Sequence, residues 1–280
     1  MTVLSIGGIA LELEGGDTLE RVMMLPGMGV FCSDVKSELL VRLDSTVQLP
    51  PCRLLHRFDI ADGNARCRFG VDVEGVYYYD FGGGCHLRYD AREPQVVDIT
   101  SIHDATVLRF ALWIAYGMMA LPRRRVAVHS SVVVCDGRAV MCLGESGTGK
   151  STHTRLWLEN IPGTYLLNDD SPILAVDDSG LSVYGSPWSG KTPCYRQERV
   201  PVAALLRLEQ KPENSISRLN TVGAFAALQP SCPPCMVREE RLTDLLIDFL
   251  SDVLKHAAVY RMGCLPDADA ARLSHKTIIG

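Results

Sequence analysis

Apolar and polar residues alternate in short runs through the amino-terminal third of the chain. Ile9-Ala10-Leu11-Glu12-Leu13 does so strictly, and Val71 through Tyr79 more loosely, before Gly82-Gly83-Gly84 interrupts the pattern. Period-two alternation buries one face of a strand, so this region is predicted to be β-rich. Asp62-Gly63 predicts a hairpin turn, and Pro50-Pro51 and Pro94 mark further turns. The pattern changes at Ala105, where an apolar run extends to Leu121 with Asp104 placed to cap it and Pro122 to stop it. That run reads as a buried core helix. The division expected from this change is a β-rich region over 1–102 and an α/β domain over 103–280.

After the helix, Val126 through Val134 and Arg138 through Leu143 are apolar runs joined by Cys135-Asp136-Gly137. Asp-Gly between such runs predicts an antiparallel hairpin, because both residues tolerate positive φ. A second hairpin is predicted between Ile173–Val176 and Leu181–Tyr184, turning at Asp177-Asp178-Ser179-Gly180. The segment from Glu239 to Lys255 has leucines at helical spacing and acids early, the pattern of a packing helix.

Composition narrows the class. Apolar residues make up 47% and charged residues 22%, ordinary for a globular domain, which sets aside disorder and fibres. The net charge of −5 lacks the basic excess of a generic nucleic-acid binder, so no nucleic-acid partner is expected. Ten cysteines in 280 residues are too dilute for a disulfide scaffold. The amino terminus acquires Glu12 and Glu14 early and has no positive n-region, unlike a secretory signal. The run from Ala105 to Leu121 contains Arg109 and falls short of the ~20 residues of a membrane span. A reducing, cytoplasmic setting without a membrane partner is the expectation.

The most informative stretch is Gly144-Glu145-Ser146-Gly147-Thr148-Gly149-Lys150-Ser151, which fits the P-loop pattern G-x-x-x-x-G-K-S/T. A predicted strand precedes it and a predicted helix, Thr152 through Leu158, follows. Glycines let backbone N–H groups converge on phosphate oxygens, and a helix N-terminus adds unpaired donors and partial positive charge. Lys150 is placed to reach the β- and γ-phosphates of ATP and Ser151 to ligate Mg²⁺, with Thr152 completing the nucleotide contacts. Thr164 through Asp170 is an apolar run ending in Asp169-Asp170, where P-loop proteins place a Mg²⁺-binding carboxylate. Two adjacent acids allow a division of labour: Asp169 as the base toward a hydroxyl, and Asp170 with Ser151 on the metal. A turn before Pro172 is the alternative reading of the acids.

His129, the hairpin, the glycine loop and the Asp-Asp run together resemble the HPr kinase/phosphorylase family, distantly related to ATP-dependent phosphoenolpyruvate carboxykinase. The resemblance is strong over about 126–176. It continues weakly through Gly185–Lys191 and Val200–Leu208, where it looks like the HPr-kinase-related peptide kinases. It implies a mixed sheet with antiparallel neighbours to the P-loop strand, nucleotide and Mg²⁺ roles for Lys150 and Ser151, base and metal roles for the acidic pair, and His129 as an active-site histidine. Thr152 stands where genuine HPr-modifying enzymes usually carry Glu, and their C-terminal Pro-rich signature is missing. HPr itself and phosphorolysis are therefore left aside.

Other features keep two readings. His129 suits a phosphoryl contact or a hydrogen-bonded core histidine, and His153 a packing role. Arg123-Arg124-Arg125 suits a solvated helix end or an anion grip. The loop Gly185–Lys191, followed by Tyr195 and Arg196, is either structural around Trp188 or a cationic flap. In the second case Lys191 and Arg196 would stabilise transition-state charge. Cys232-Pro233-Pro234-Cys235 reads as a plain loop before zinc or redox chemistry. The expectation is an ATP- and Mg²⁺-dependent kinase transferring the γ-phosphate to a hydroxyl of a peptide, protein or small metabolite. A nucleotide-dependent switch with slow ATPase activity and a carboxykinase-like phosphotransferase are the alternatives. The resemblance adds a possible homo-oligomer.

Overall fold

The computed structural model describes residues 1–60, 65–190 and 192–280. The chain forms two compact units, Met1–Arg123 with Cys235–Thr243, and Arg124–Pro234 with Asp244–Gly280. The first carries strands Thr2–Ile6 (β1), Ile9–Glu14 (β2), Leu39–Arg42 (β3), Arg53–Ile60 (β4), Ala65–Val71 (β5), Tyr77–Asp80 (β6), His86–Tyr89 (β7) and Val96–Ile99 (β8). Its helices are Asp17–Met24 (α1) and Ala105–Ala120 (α2). The second carries strands Arg125–Ala127 (β9), Ser130–Cys135 (β10), Arg138–Leu143 (β11), Tyr165–Asp170 (β12), Ile173–Asp177 (β13), Gly180–Tyr184 (β14), Arg199–Gln210 (β15), Ser215–Arg218 (β16) and Ala258–Cys264 (β17). Its helices are Lys150–Asn160 (α3), Thr221–Leu228 (α4) and Ala268–Ile278 (α6), with Glu240–His256 (α5) beginning in the segment that joins the first unit.

The first unit is a single mixed sheet in the order β1-β2-β3-β8-β7-β6-β5-β4. Its core includes buried aromatics from alternate strand positions, among them Phe69 and Tyr79, which stack at 4.4 Å between ring centroids. The run Val71–Tyr79 is two strands, not one, because the Asp72 carboxylate accepts the N–H groups of Glu74 and Val76 and folds a turn at Gly75, φ 84°. The Asp62-Gly63 turn lies outside the described residues. Asp104 caps α2 through the N–H groups of Thr106 and Val107, as its position predicted.

The apolar helix lies within the first compact unit, which runs through Arg123. Packing decides this: the Tyr116 hydroxyl donates to the Ile6 carbonyl at 3.3 Å, and Met118 receives the Tyr79 hydroxyl. With the 3₁₀ turn that follows, the helix reaches 19 residues and is long and apolar enough to cross a membrane by length and composition. Within its apolar window 67% is buried inside the fold, the pattern of a core helix.

The second unit is a mixed α/β sheet in the order β12-β10-β11-β15-β14-β13-β9, with β17 and then β16 added beside β15. The hairpin β10–β11 pairs Cys135 with Arg138, leaving Asp136 and Gly137 as a two-residue loop at φ 50° and 69°. Both positive angles fit the primed turn that matches strand twist. The β13–β14 hairpin pairs Asp177 with Gly180, also as predicted. Val126–Val134, expected as one strand, is broken at Val128 and His129. Their N–H groups donate to the Pro172 and Ser231 carbonyls, so β9 pairs with β13 while β10 pairs with β11 and β12. Helices α3 and α6 cover one face around fully buried Trp157, Val140, Leu206 and Met262.

Candidate functional site

Strand β11 runs into a loop of glycines and emerges as α3. Gly144, Gly147 and Gly149 have φ of 154°, 83° and 100°, angles L side chains rarely adopt. A Cβ on Gly144 would stand 2.4 Å from the Thr148 hydroxyl. The loop closes on itself, because the Thr148 N–H and hydroxyl both donate to the Glu145 carbonyl, at 3.2 and 2.8 Å. Helix α3 has no side-chain cap, so its first backbone N–H groups are available to an anion.

Lys150 folds over this loop. Its ammonium donates to the carbonyls of Gly144 (2.7 Å) and Glu145 (3.1 Å) and to His129 Nε2 (3.0 Å). Burial holds the Lys150 pKa below the usual lysine value, opposed by the nearby carboxylates of Asp170, Glu145 and Asp169. An ammonium can only donate, so Nε2 of His129 accepts and Nδ1 carries the proton. That Nδ1 lies 3.1 Å from Asp170 Oδ1. Lysine, histidine and aspartate thus form one directed chain of hydrogen bonds.

Strand β12 brings the acids to the same place. It pairs antiparallel with β10, Ser131 opposite Asp169 and Ser130 opposite Asp170, with a register shift beside Val132 and Val133. Bulges of this kind re-aim side chains next to functional sites. The Ser151 hydroxyl donates to Asp169 Oδ1 at 2.9 Å, and Asp169 is buried. Asp170 has φ 148°, a strained value for a residue with a side chain, and its carboxylate is more exposed than that of Asp169. The acids are therefore not a turn before Pro172 but the end of a strand.

A cavity of about 360 Å³ brings together His129, Ser146, Gly147, Gly149 to Thr152, Asp169 and Asp170, with Gly190 at its wall. Gly144, Glu145 and Thr148 shape the loop without lining that cavity. Ser151 and Asp169 are a hydroxyl and a carboxylate in contact, a donor pair suited to Mg²⁺, which keeps several waters and uses few protein ligands. No cluster of three or more metal-ligating side chains occurs among the described residues. A larger cavity, about 500 Å³, lies in the first unit beside Leu49, Pro50 and Arg68.

Other sequence-predicted residues fall elsewhere. Arg196 is not in the cavity: its Nε donates to the Leu166 carbonyl at 2.8 Å and its guanidinium covers the Tyr165 ring at 5.0 Å. Of the two readings of this loop, these contacts have the side chain holding the start of β12. Lys191 lies outside the described residues. The three arginines at 123–125 make local contacts, with the Met119 carbonyl, Asp252 and Asp177. His153 is buried in helix packing. Cys232 and Cys235 are buried free thiols, the first pushed up to about 12 by burial.

Three residues were missed. Asn168, fully buried, donates to the Ser186 carbonyl (3.2 Å) and accepts the Ser171 N–H (3.1 Å), pinning the 185–190 loop to the end of β12. Gly190 N–H donates to the Asp169 carbonyl at 2.5 Å. Arg207 on β15 pairs with Glu145 of the loop at 2.8 Å. An asparagine and an arginine inside otherwise apolar strands were the visible cues.

No family model and no curated protein matches the chain. Among solved structures, an Hpr(Ser) kinase/phosphatase from Coxiella burnetii aligns with it at 12% identity and a TM-score of 0.31, over 54% of this chain and 86% of that one.

Proposed function

We propose that this chain is an ATP-dependent kinase that transfers the γ-phosphate to a hydroxyl group of a peptide, protein or small metabolite. One observation carries the reading: the glycine loop with Lys150 and the acidic pair line a single cavity, tied by Ser151 to Asp169 and by His129 to Asp170. The hydrogen bonding favours exchanging the acid roles expected from sequence. Asp169 with Ser151 would hold Mg²⁺, which when bound supplies charge neutralisation at the phosphates. Asp170, half-exposed and backed by His129, takes the proton from the acceptor hydroxyl. Lys150 leaves the loop carbonyls for phosphate oxygens, and the uncapped start of α3 donates to the rest. Catalysis on this scheme is positioning and electrostatic shielding. A cytoplasmic setting accords with ten free thiols.

The test is transfer of labelled γ-phosphate from ATP to hydroxyl compounds of a cell extract, with MgATP affinity measured in parallel. Lys150→Ala is expected to lose transfer with the fold retained. Asp170→Asn is expected to lose at least 100-fold in transfer and little in MgATP affinity. Retained turnover in Lys150→Ala would refute the site. A wild type that binds MgATP and never transfers phosphate would favour the nucleotide-dependent switch.

A further inference from the structure

The phosphate cavity accounts for one side of the glycine loop, and a second cavity of about 370 Å³ opens on the other. The two share Gly147, Gly149 and Thr152, so they meet across the loop and the first turn of α3. The fold explains its position. Strands β11, β15 and β17 run parallel and end at one edge, with Gln210 opposite Cys264 at the last register position. Ligands of open α/β sheets sit beyond such strand ends.

The chemistry of the walls differs from that of the phosphate side. Leu156 from α3 and Leu265-Pro266 after β17 provide apolar surface, and Gln210 and Lys211 provide a polar edge. Leu265 is one of the exposed large hydrophobics of the chain, at 38%. An apolar slot with a few fixed polar groups is the general form of a small-molecule site. The Gln210 amide nitrogen donates to the Gly147 carbonyl at 3.1 Å, which fixes the amide against the loop. Its oxygen makes no hydrogen bond among the described residues and remains an acceptor.

The floor is rigid. His153, 2% exposed, lies 3.0 Å from the Ser274 hydroxyl through Nε2, and the Trp157 indole donates to the same hydroxyl at 2.9 Å. Ser274 is within 3.1 Å of the Ala270 and Ala271 carbonyls, which can only accept, so its own proton goes to them. The Trp157 indole also lies within hydrogen-bond reach of His153 Nε2, at 3.3 Å, so the three side chains form one buried cluster. His153 Nδ1 is buried without a hydrogen-bond partner among the described residues.

We infer that this second cavity seats the adenine and ribose of the nucleotide, with Gln210 accepting from the exocyclic amino group of the base. The inference rests on the phosphate assignment above and adds what that assignment lacks, a reason for the protein to select ATP over a bare polyphosphate. A side-chain amide matches the donor and acceptor edge of adenine, and inosine lacks that donor.

Calorimetric titration of the full chain at fixed Mg²⁺ with ATP, inosine triphosphate and inorganic tripolyphosphate tests it. The expected order is ATP tightest, inosine triphosphate about tenfold weaker, and tripolyphosphate weaker again. Leu265→Ala should weaken ATP about fivefold and leave tripolyphosphate unchanged. Gln210→Ala should erase the gap between ATP and inosine triphosphate, a readout that general damage to the loop would not produce. Equal wild-type affinity for ATP and tripolyphosphate would overturn the base pocket while leaving the phosphate site standing, as would a loss in Leu265→Ala shared by both. Binding of neither would remove the phosphate assignment and this inference with it.

Discussion

His129 and His153 stand on either side of the glycine loop and differ in what surrounds them. His129 is half-exposed and polarised between an ammonium and a carboxylate. His153 is packed against Trp157 and Ser274, and burial lowers its pKa to about 4. An unfolded histidine titrates near 6.5, so between about 6.5 and 4 the unfolded chain takes up a proton that the folded chain refuses. Stability from this group is therefore full above 6.5 and is lost as pH falls, by about 2 kcal/mol from pH 6.5 to 5. Carboxylates held low by partners, such as Asp90 at about 2 beside Arg92, lose their contribution only at more acid pH. His56 is lowered by burial as well, so the discriminating measurement is a difference of slopes. Urea unfolding between pH 7 and 5 should show a fall in wild type that flattens in His153→Asn. An unchanged slope would mean that the ring protonates without leaving the core.

At the scale of elements, what was legible in the sequence is what short-range chemistry dictates. The Asp136-Gly137 turn, the Asp104 cap, the glycine loop and the strand ending in two acids could each be placed because their causes lie within a few residues. The break at Val128 and His129 could not, since the groups that accept their N–H bonds, Pro172 and Ser231, are remote in sequence. The place of Arg196 was not legible for a similar reason. A cation in a loop shows its charge in the sequence but not the face it takes, and here the Tyr165 ring and the Leu166 carbonyl claim it. The 185–190 loop is held by close backbone approach at its two ends, to Arg196 at Gly185 and to β12 at Gly190. A Cβ on Gly185 would stand 2.0 Å from the Arg196 carbonyl oxygen, a contact backbone cannot relieve. On Gly190 it would stand 3.1 Å from the Asp169 carbonyl and 3.2 Å from Asp170 Cβ. Gly185→Ala should cost about 3 kcal/mol in chemical denaturation. Gly190→Ala should cost about 1 kcal/mol yet weaken MgATP binding, because it displaces the acids. Equal effects of the two substitutions on binding would mean that the loop positions nothing in the site.

At the scale of the whole molecule, the chain order and the packing order differ. Residues 235–243 follow most of the second unit in sequence and fold with the first. The helical spacing that begins at Glu239 does not show that residues 235–243 fold with the first unit, because their anchors there are single side chains. Glu239 accepts the Tyr77 hydroxyl at 2.8 Å and also the N–H of Leu242, joining the β6 strand to the start of α5. Met236 is 1% exposed, and its terminal methyl would stand 3.4 Å from a Cβ on Gly117 of α2. Glycine at 117 thus gives the methionine room against the core helix. Truncating Met236 to alanine removes a buried side chain, at a cost of about 2–3 kcal/mol. That cost should be felt in the first unit, although the residue lies after most of the second. Hydrogen exchange on the full-length Met236→Ala chain is expected to accelerate in α2 and β6 and to stay unchanged in the β10–β11 hairpin. Faster exchange confined to β10–β11 would assign the segment to the other unit, and the discontinuous first unit would have to be abandoned.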